Sequence, residues 1–396
     1  MKIAIWHNMP SGGGKRALFD QVRGLVGRGH EVRAWTTPLA NQTFLPLGDL
    51  IEERILPYSP PPEGGSALHR ISLTPRKIEA MHAHCRQAGS EIDAWRPVVL
   101  LSHTTPGIHT PPIARYVHSP SALYLQEPTR GLYEALPVFP WIAPERKLGP
   151  KECLVDWGRM RSMRLQVREE YDNARAFDRI LVNSFFSRES VLRCLGLEPE
   201  VCYLGVDFGL FEDRGLAREP FVVGLGSIHP RKNVTRAVEG VGAVRKEVRP
   251  PLVWVGDVAT PEYGQEVRAL AESLDVDFRP LIGITDAQLV DVLNRATAMI
   301  YCSRLEPFGY APIEANACGC PVVAVAEGGI RETVIDGING LVVDGSASAL
   351  GAGLTRLLAD PEAAARMGRR AGEDVRARWA MEPAIDRLEA HLRQIA

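Results

Sequence analysis

Glu306 and Glu314 stand eight positions apart around Pro307-Phe308-Gly309-Tyr310-Ala311-Pro312-Ile313. An apolar run, Ile300-Tyr301-Cys302, precedes them and a short helical stretch follows, so the segment reads as a strand-to-helix turn. Pro312 suits the first turn of that helix, where a missing N–H costs nothing. Gly309 lets the backbone approach a ligand closely. The N–H groups at the helix start form an anion site. One carboxylate thus precedes the turn and a second is expected in the first helical turn. Acceptors on both sides of an anion cradle suit a molecule with hydroxyls at its ends and a diphosphate between them. A plainer reading makes Glu306 a helix-entry charge and Glu314 an acid favoured by the helix dipole.

A second cluster, Gly226-Ser227-Ile228-His229-Pro230-Arg231-Lys232-Asn233, lies between a strand pattern and a helical one. Two adjacent cations at a helix start oppose the dipole unless an anion neutralises them. Arg offers a fork and Lys a point charge, and both suit phosphate. The loop Gly12-Gly13-Gly14-Lys15 is a third candidate for close backbone approach to an anion. It is neither a Walker loop, since Arg16 follows the lysine, nor a dinucleotide fingerprint, since no third glycine follows at the right place. A tight turn is the alternative. Gly328-Gly329-Ile330-Arg331-Glu332 follows another strand pattern, and Glu332 either accepts from a ligand or caps its own helix.

His103, His109 and His118 are spaced too widely for compact metal ligation. Gln126-Glu127 follows the apolar run Ala122–Leu125, at the carboxyl end of a strand, where ligands bind in open α/β sheets. Asp275-Val276-Asp277 resembles a metal-binding DxD but precedes its strand, so it reads as a turn. The arginine-rich stretch 159–175 reads as a solvated helical face, with an anionic acceptor or lipid headgroups as the alternative.

These candidates need a frame of alternating strands and helices. Strand patterns recur at Lys2–Trp6, His30–Trp35, Val98–Ser102 and Arg179–Ser184. They recur again at Phe221–Gly226, Pro251–Gly256, Asp277–Arg279, Ala298–Tyr301, Val322–Val325 and Gly340–Val343. Helical spacing follows most of them, for example at Lys15–Arg28, Val234–Lys246 and Glu262–Ser273. Such alternation predicts α/β architecture with parallel sheets covered on both faces. The boundary is expected between Gly205 and Pro220. Residues 1–207 would form one domain and 208–379 another, with a last helix, about 380–396, packing back on the first. The loop 58–65 and the stretch 130–158, rich in Pro, Trp and charge, read as irregular insertions.

Composition narrows the function further. A net charge of -2 among 396 residues gives no general field for nucleic acid. Seven scattered cysteines, without CxxC spacing, read as reduced thiols in a cytoplasmic protein. No run of residues is long and apolar enough to cross a bilayer, and MKIAIWHNMP enters a strand pattern too early for a signal peptide. Peripheral contact with the inner face of a membrane stays open.

Taken together, residues 180–345 resemble the retaining GT-B glycosyltransferases of family 4, also called glycosyl transferases group 1. The resemblance rests on Gly226–Asn233, Ser303–Gly319 with its spaced glutamates, Pro321–Ala324, Gly328–Glu332 and Asn339–Val342. Asn183–Ser187 and Gly205-Val206-Asp207 match as well. Before residue 180 only the opening strand and glycine loop match. The resemblance implies GT-B architecture: two doubly wound Rossmann-like domains facing across a deep cleft. It implies a nucleoside-diphosphate sugar as co-substrate, an unidentified acceptor, no other cofactor and no metal. Glu314 should accept from the ribose hydroxyls. Glu306, with the N–H groups of Phe308 and Gly309, should hold the sugar, with Tyr310 beside them. Lys232 should neutralise the diphosphate, opposite the Gly13-Gly14 loop. The family usually has an arginine where Ser227 stands, so Arg231 is expected to take over that charge. Many members have a histidine at the position of Gln126, so Gln126 or Glu127 is expected to substitute. The expected activity is hexosyl transfer. A nucleotide-sugar epimerase or a sugar phosphorylase shares the fold. A sugar-nucleotide binding module without turnover is a further alternative, and the failed dinucleotide fingerprint argues against a dehydrogenase.

Overall fold

The apolar runs fold into two parallel sheets in a computed structural model that describes residues 1–62, 67–135, 138–143, 145–257 and 260–396, with only the backbone of 67–72. Two units result, Met1–Tyr203 with Ile385–Ala396, and Leu204–Ala384. The chain therefore passes between units after Tyr203 and again after Ala384.

The first unit's strands are β1 (Lys2–His7), β2 (Glu31–Thr36), β3 (Glu52–Ile55), β4 (Val99–His103), β5 (Ser121–Tyr124), β6 (Arg179–Val182) and β7 (Glu200–Val201). Their order is β3-β2-β1-β4-β5-β6-β7, with parallel pairing throughout. Ile3 to Trp6 and all of β4 are buried, as continuous apolar strands covered on both faces must be. Trp6, Trp35, Leu100 and Leu123 join Cys85 and Ile92 in one core cluster.

The second unit's strands are β8 (Glu219–Leu225), β9 (Leu252–Gly256), β10 (Phe278–Ile282), β11 (Ala296–Tyr301), β12 (Val322–Val325) and β13 (Gly340–Val343). Their order, β10-β9-β8-β11-β12-β13, is also parallel throughout. Trp254, Val222, Ile300 and Val323 anchor its core with Leu350 and Leu354. In both sheets the direction of winding reverses beside the first strand, between β1 and β4 and between β8 and β11. Such switch points open a crevice at the carboxyl ends of the strands.

Several expectations change. The stretch 130–158 is only partly irregular: Arg130–Tyr133 is a turn of helix, and Pro150 opens a helix that runs to Ala174. The helix from Val234 ends at Gly242, and the strand expected at Asp277–Arg279 is Phe278–Ile282. The sequence pattern missed β3, whose Glu52, Glu53 and Arg54 form no apolar run, and the helix Ala67–Trp95, which contains Pro75. Part of the loop predicted at 58–65 lies outside the described residues. Cys318 and Cys320 are buried thiols whose pKa values burial pushes up, so they fill core space as neutral groups. Asp275 pairs with Lys246 at 2.6 Å and Asp277 with Arg279, which leaves both acids in surface ion pairs. Among the described residues no helix is long and apolar enough to cross a membrane.

Candidate active site

Two of the sequence motifs meet at the switch point of the second sheet. Gly226–Lys232 follows β8, and Ser303–Gly309 follows β11, the neighbouring strand. Gly226 has φ 136°, and a Cβ there would lie 3.2 Å from the Lys232 stem, so the bare glycine leaves room for that side chain. The Gly226 carbonyl accepts from Trp254 Nε1–H at 2.7 Å. Gly256 must also lack a side chain, because its Cβ would sit 2.1 Å from the Gly226 oxygen.

The consequence is a direct contact across 74 residues of sequence: Lys232 Nζ donates to Glu306 Oε2 at 2.8 Å. Ser303 Oγ–H donates to the same oxygen at 2.6 Å. Tyr301, buried at the end of β11, also bonds Glu306, and burial beside that carboxylate holds the phenol protonated. The Glu306 backbone carbonyl accepts from Gly329 N–H at 2.7 Å, and a Cβ on Gly329 would meet the Pro307 oxygen at 2.2 Å. Glu327 fixes the same loop by accepting from Arg304 Nε and Leu305 N–H. Glu306 is therefore held at both backbone and side chain.

The expected helix starts at Tyr310 and runs to Ala317. Gly309 precedes it at φ 99°, a left-handed conformation that glycine adopts without strain, and no side chain caps the helix. Phe308 is buried edge-on against Tyr310 and Trp379. Glu314 is the fifth helical residue and only 5% exposed. It is not in the first turn as the spacing predicted, so the dipole does not explain it. A carboxylate placed there is costly unless hydrogen bonds receive it.

The cation pair also differs from expectation. Arg231 and Lys232 occupy a single turn of tight helix, Pro230–Lys232, and the longer helix starts only at Val234. Lys232 is neutralised by Glu306, so dipole repulsion does not describe it. Arg231 is exposed, and Ser227 lies half-buried in the loop. His229 accepts from Arg231 N–H, and burial with two adjacent cations lowers its pKa. Glu332 sits in the first turn of the four-residue helix Ile330–Thr333.

In the first unit, Gly13 and Gly14 are the first residues of the helix Gly13–Gly27. Gln126 Nε2–H donates to the Gly14 carbonyl at 3.4 Å. A Cβ on Gly14 would meet Met9 Cε at 2.3 Å and Gln126 Oε1 at 2.9 Å. Glu127 pairs with Arg130 at 2.5 Å. His109 contacts the Glu127 carbonyl at 3.0 Å, and His118 pairs with Asp93 on the surface. Sequence reasoning gave Tyr301 and Ser303 no role, since a strand-end tyrosine and a lone serine carry no motif. It also missed Glu53, whose carboxylate lies 2.8 Å from His7.

Residues 210–374 match the family model described as Glycosyl transferases group 1. The second unit is a glycosyl transferases group 1 domain. Alpha-maltose-1-phosphate synthase of Mycobacterium tuberculosis is 30% identical over 221 residues, covering 49% of this chain and 57% of that protein. D-inositol 3-phosphate glycosyltransferase of Acidothermus cellulolyticus is 30% identical over 214 residues, covering 48% of each. The chain thus spans about half the length of these curated relatives. HepE of Anabaena, solved with UDP and glucose, is 17% identical, covers 99% of both chains and has a TM-score of 0.71. Sucrose-phosphate synthase of Thermosynechococcus elongatus is 20% identical with a TM-score of 0.71, covering 100% of this chain and 99% of that one. At such identities these structures speak for the fold, which is GT-B. Every contact to Lys232, Ser303 and Glu306 described above falls within the group 1 domain.

Proposed function

We propose that the protein is a retaining hexosyltransferase that moves a sugar from a nucleoside-diphosphate sugar to an acceptor hydroxyl without a metal ion. The observation that carries this reading is the Lys232–Glu306 contact of 2.8 Å, made beside an uncapped helix start and a buried second carboxylate, Glu314.

Breaking the bond between the anomeric carbon and the diphosphate leaves positive charge on the sugar and negative charge on the leaving oxygen. Lys232 is oriented in advance by Glu306, and Arg231 stands next to it in the chain. Preorganised cations stabilise a leaving group without reorganisation when the charge develops. The acceptor oxygen bonds the anomeric carbon on the face the diphosphate leaves, and its proton passes to the departing phosphate oxygen. Glu306, with the N–H groups of Phe308 and Gly309, receives the sugar hydroxyls, with Tyr310 bordering the same turn. Glu314 accepts from the ribose. Ser227 adds a neutral donor to the phosphate loop. From the first unit, Gly13, Gly14 and Gln126 are assigned anion and sugar contacts on the resemblance alone.

A thermal-shift panel tests this reading, because a ligand that binds the folded state raises Tm by mass action. UDP-glucose heads the panel, since HepE was solved with UDP and glucose, followed by GDP- and ADP-sugars. At least one should raise Tm and, with a suitable acceptor, turn over with retained anomeric configuration. Stabilisation by NAD and by no nucleotide sugar would sink the proposal.

A further inference from the structure

The helix Pro150–Ala174 is poorly covered for its length. In its first twenty residues only Gly158 is buried, and Leu154, Val155 and Trp157 are about half exposed. Val138, Phe139, Trp141 and Ile142, just upstream, are exposed as well. Eight of the fifteen large apolar side chains exposed among the described residues fall between Val138 and Leu165. Contiguous exposure on that scale marks an interaction surface.

The same stretch carries an excess of positive charge. Between Glu145 and Arg168, seven lysines and arginines stand against three acids, in a chain whose net charge is -2. Arg146 is paired to Glu152 and Arg168 to Asp172. Arg159, Arg161 and Arg164 are exposed and make no ion pair among the described residues. Arg161 instead lies over the Trp157 ring at 5.7 Å.

Beside these arginines is a cavity of about 440 Å³ lined by Leu132, Trp141, Met160, Met163 and Val167, with Arg164 and Arg168 at its wall. Its lining is almost wholly apolar. A peptide entering it would bring N–H and C=O groups that find few partners away from Arg164, Arg168 and Tyr171, at the cost of their desolvation. A hydrocarbon chain brings none. Aromatic side chains, flexible methionines and unpaired guanidiniums on one face match an anionic lipid surface, with acyl chains below and headgroups above.

We propose that this face of the first unit docks on anionic lipid bilayers and that the cavity receives one acyl chain. Vesicle flotation with phosphatidylcholine alone, and with phosphatidylcholine containing one quarter phosphatidylglycerol, tests both parts. The full chain should float with the anionic vesicles only, and high salt should weaken the binding. R159E/R161E/R164E should reduce affinity by at least about a hundredfold, since each of the three positive charges lost near such a surface is worth roughly fivefold and each new acid is repelled. Met163→Trp, which fills the cavity and changes no charge, should also weaken flotation. Both variants are compared with the parent only where their thermal melts coincide. If either fails that comparison, quenching of parent tryptophan fluorescence by lipids brominated on their acyl chains decides, because Trp141 and Trp157 would lie at that depth. Equal binding to neutral vesicles, undiminished binding by the triple variant, or absence of quenching would overturn the docking. Full binding by a folded Met163→Trp protein would overturn the acyl-chain cavity.

Discussion

The two sheets share a winding order but finish their switch points differently. In the group 1 domain, beyond β8 and β11, backbone atoms set the geometry. Gly256 abuts the Gly226 carbonyl and Gly329 abuts the Pro307 carbonyl, and the charged pair Lys232–Glu306 rests on that frame. In the first unit, beyond β1 and β4, side chains do the work. His7 pairs with Glu53, Asn8 donates to Thr105 at 2.9 Å, and Thr37 donates to Asn8 at 2.6 Å. Lys15 Nζ and both ring nitrogens of His103 are buried without a hydrogen-bond partner among the described residues. A frame of backbone contacts tolerates few substitutions. A polar lattice of side chains can be rewritten residue by residue. The family model matches residues 210–374, the stretch that holds the backbone frame.

The sharpest break in this comparison is Lys232→Ala. Transfer should fall by about a thousandfold, the scale set by losing one preorganised charge at a developing anion. Its ion pair is partly exposed, so folding should change by less than about 1 kcal/mol. Initial rates and thermal melts on one preparation separate the two effects, and an unimpaired rate would remove Lys232 from the leaving-group role.

The first unit's buried lattice should show itself in acid. Burial lowers the His103 pKa from 6.5 to about 3. An unfolded His103 therefore takes up a proton as pH falls below 6.5, while the folded one resists. Stability should decline from pH 6.5 toward 3, with up to about 5 kcal/mol at stake in His103. Urea melts of parent and His103→Asn across that range should diverge, the variant showing the shallower loss. Parallel curves would assign the acid sensitivity to other groups.

Paired glycine substitutions probe backbone against side-chain control. Gly256→Ala drives a Cβ into a carbonyl oxygen, with φ at 157°, and should cost about 2–4 kcal/mol. Gly14→Ala meets only the mobile ends of Met9 and Gln126 and should cost less than about 1 kcal/mol. Denaturant melts giving equal losses would erase the distinction. Glu314→Ala should raise the apparent donor Kd roughly tenfold or more, the worth of a charged hydrogen bond, with little change in kcat. An unaltered Kd by calorimetry would take Glu314 out of the ribose role. The smallest expected effect is none: transfer should persist in EDTA, and a metal-reversible loss would require a metal-dependent mechanism.

Much of this was legible from spacing. The glycines and charged residues of Gly226–Lys232 and Ser303–Gly309 sit where a strand must end and a helix begin, so local pattern placed them. The contact between Lys232 and Glu306 was not legible, because it depends on β8 lying next to β11, a pairing of distant segments. Glu314 was put one turn too early, since the helix already begins at Tyr310, directly after Gly309, and so reaches its second turn by residue 314. In the first unit, β3 and the long helix Ala67–Trp95 escaped notice because Glu52, Glu53 and Arg54 hide the one and Pro75 interrupts the pattern of the other. The polar lattice escaped for the same reason its residues matter: His7, Glu53 and His103 come from three separate strands.

The return of the chain after Ala384 has a practical corollary for anyone grafting specificities. Ile385 packs on Gly24, Asp386 pairs with Arg28 at 2.7 Å, and Glu389 holds Arg28 and His30. A chimera that exchanges the front half must therefore carry its own tail with it. Swapping at Tyr203 alone would mate a foreign opening helix with a mismatched closing one.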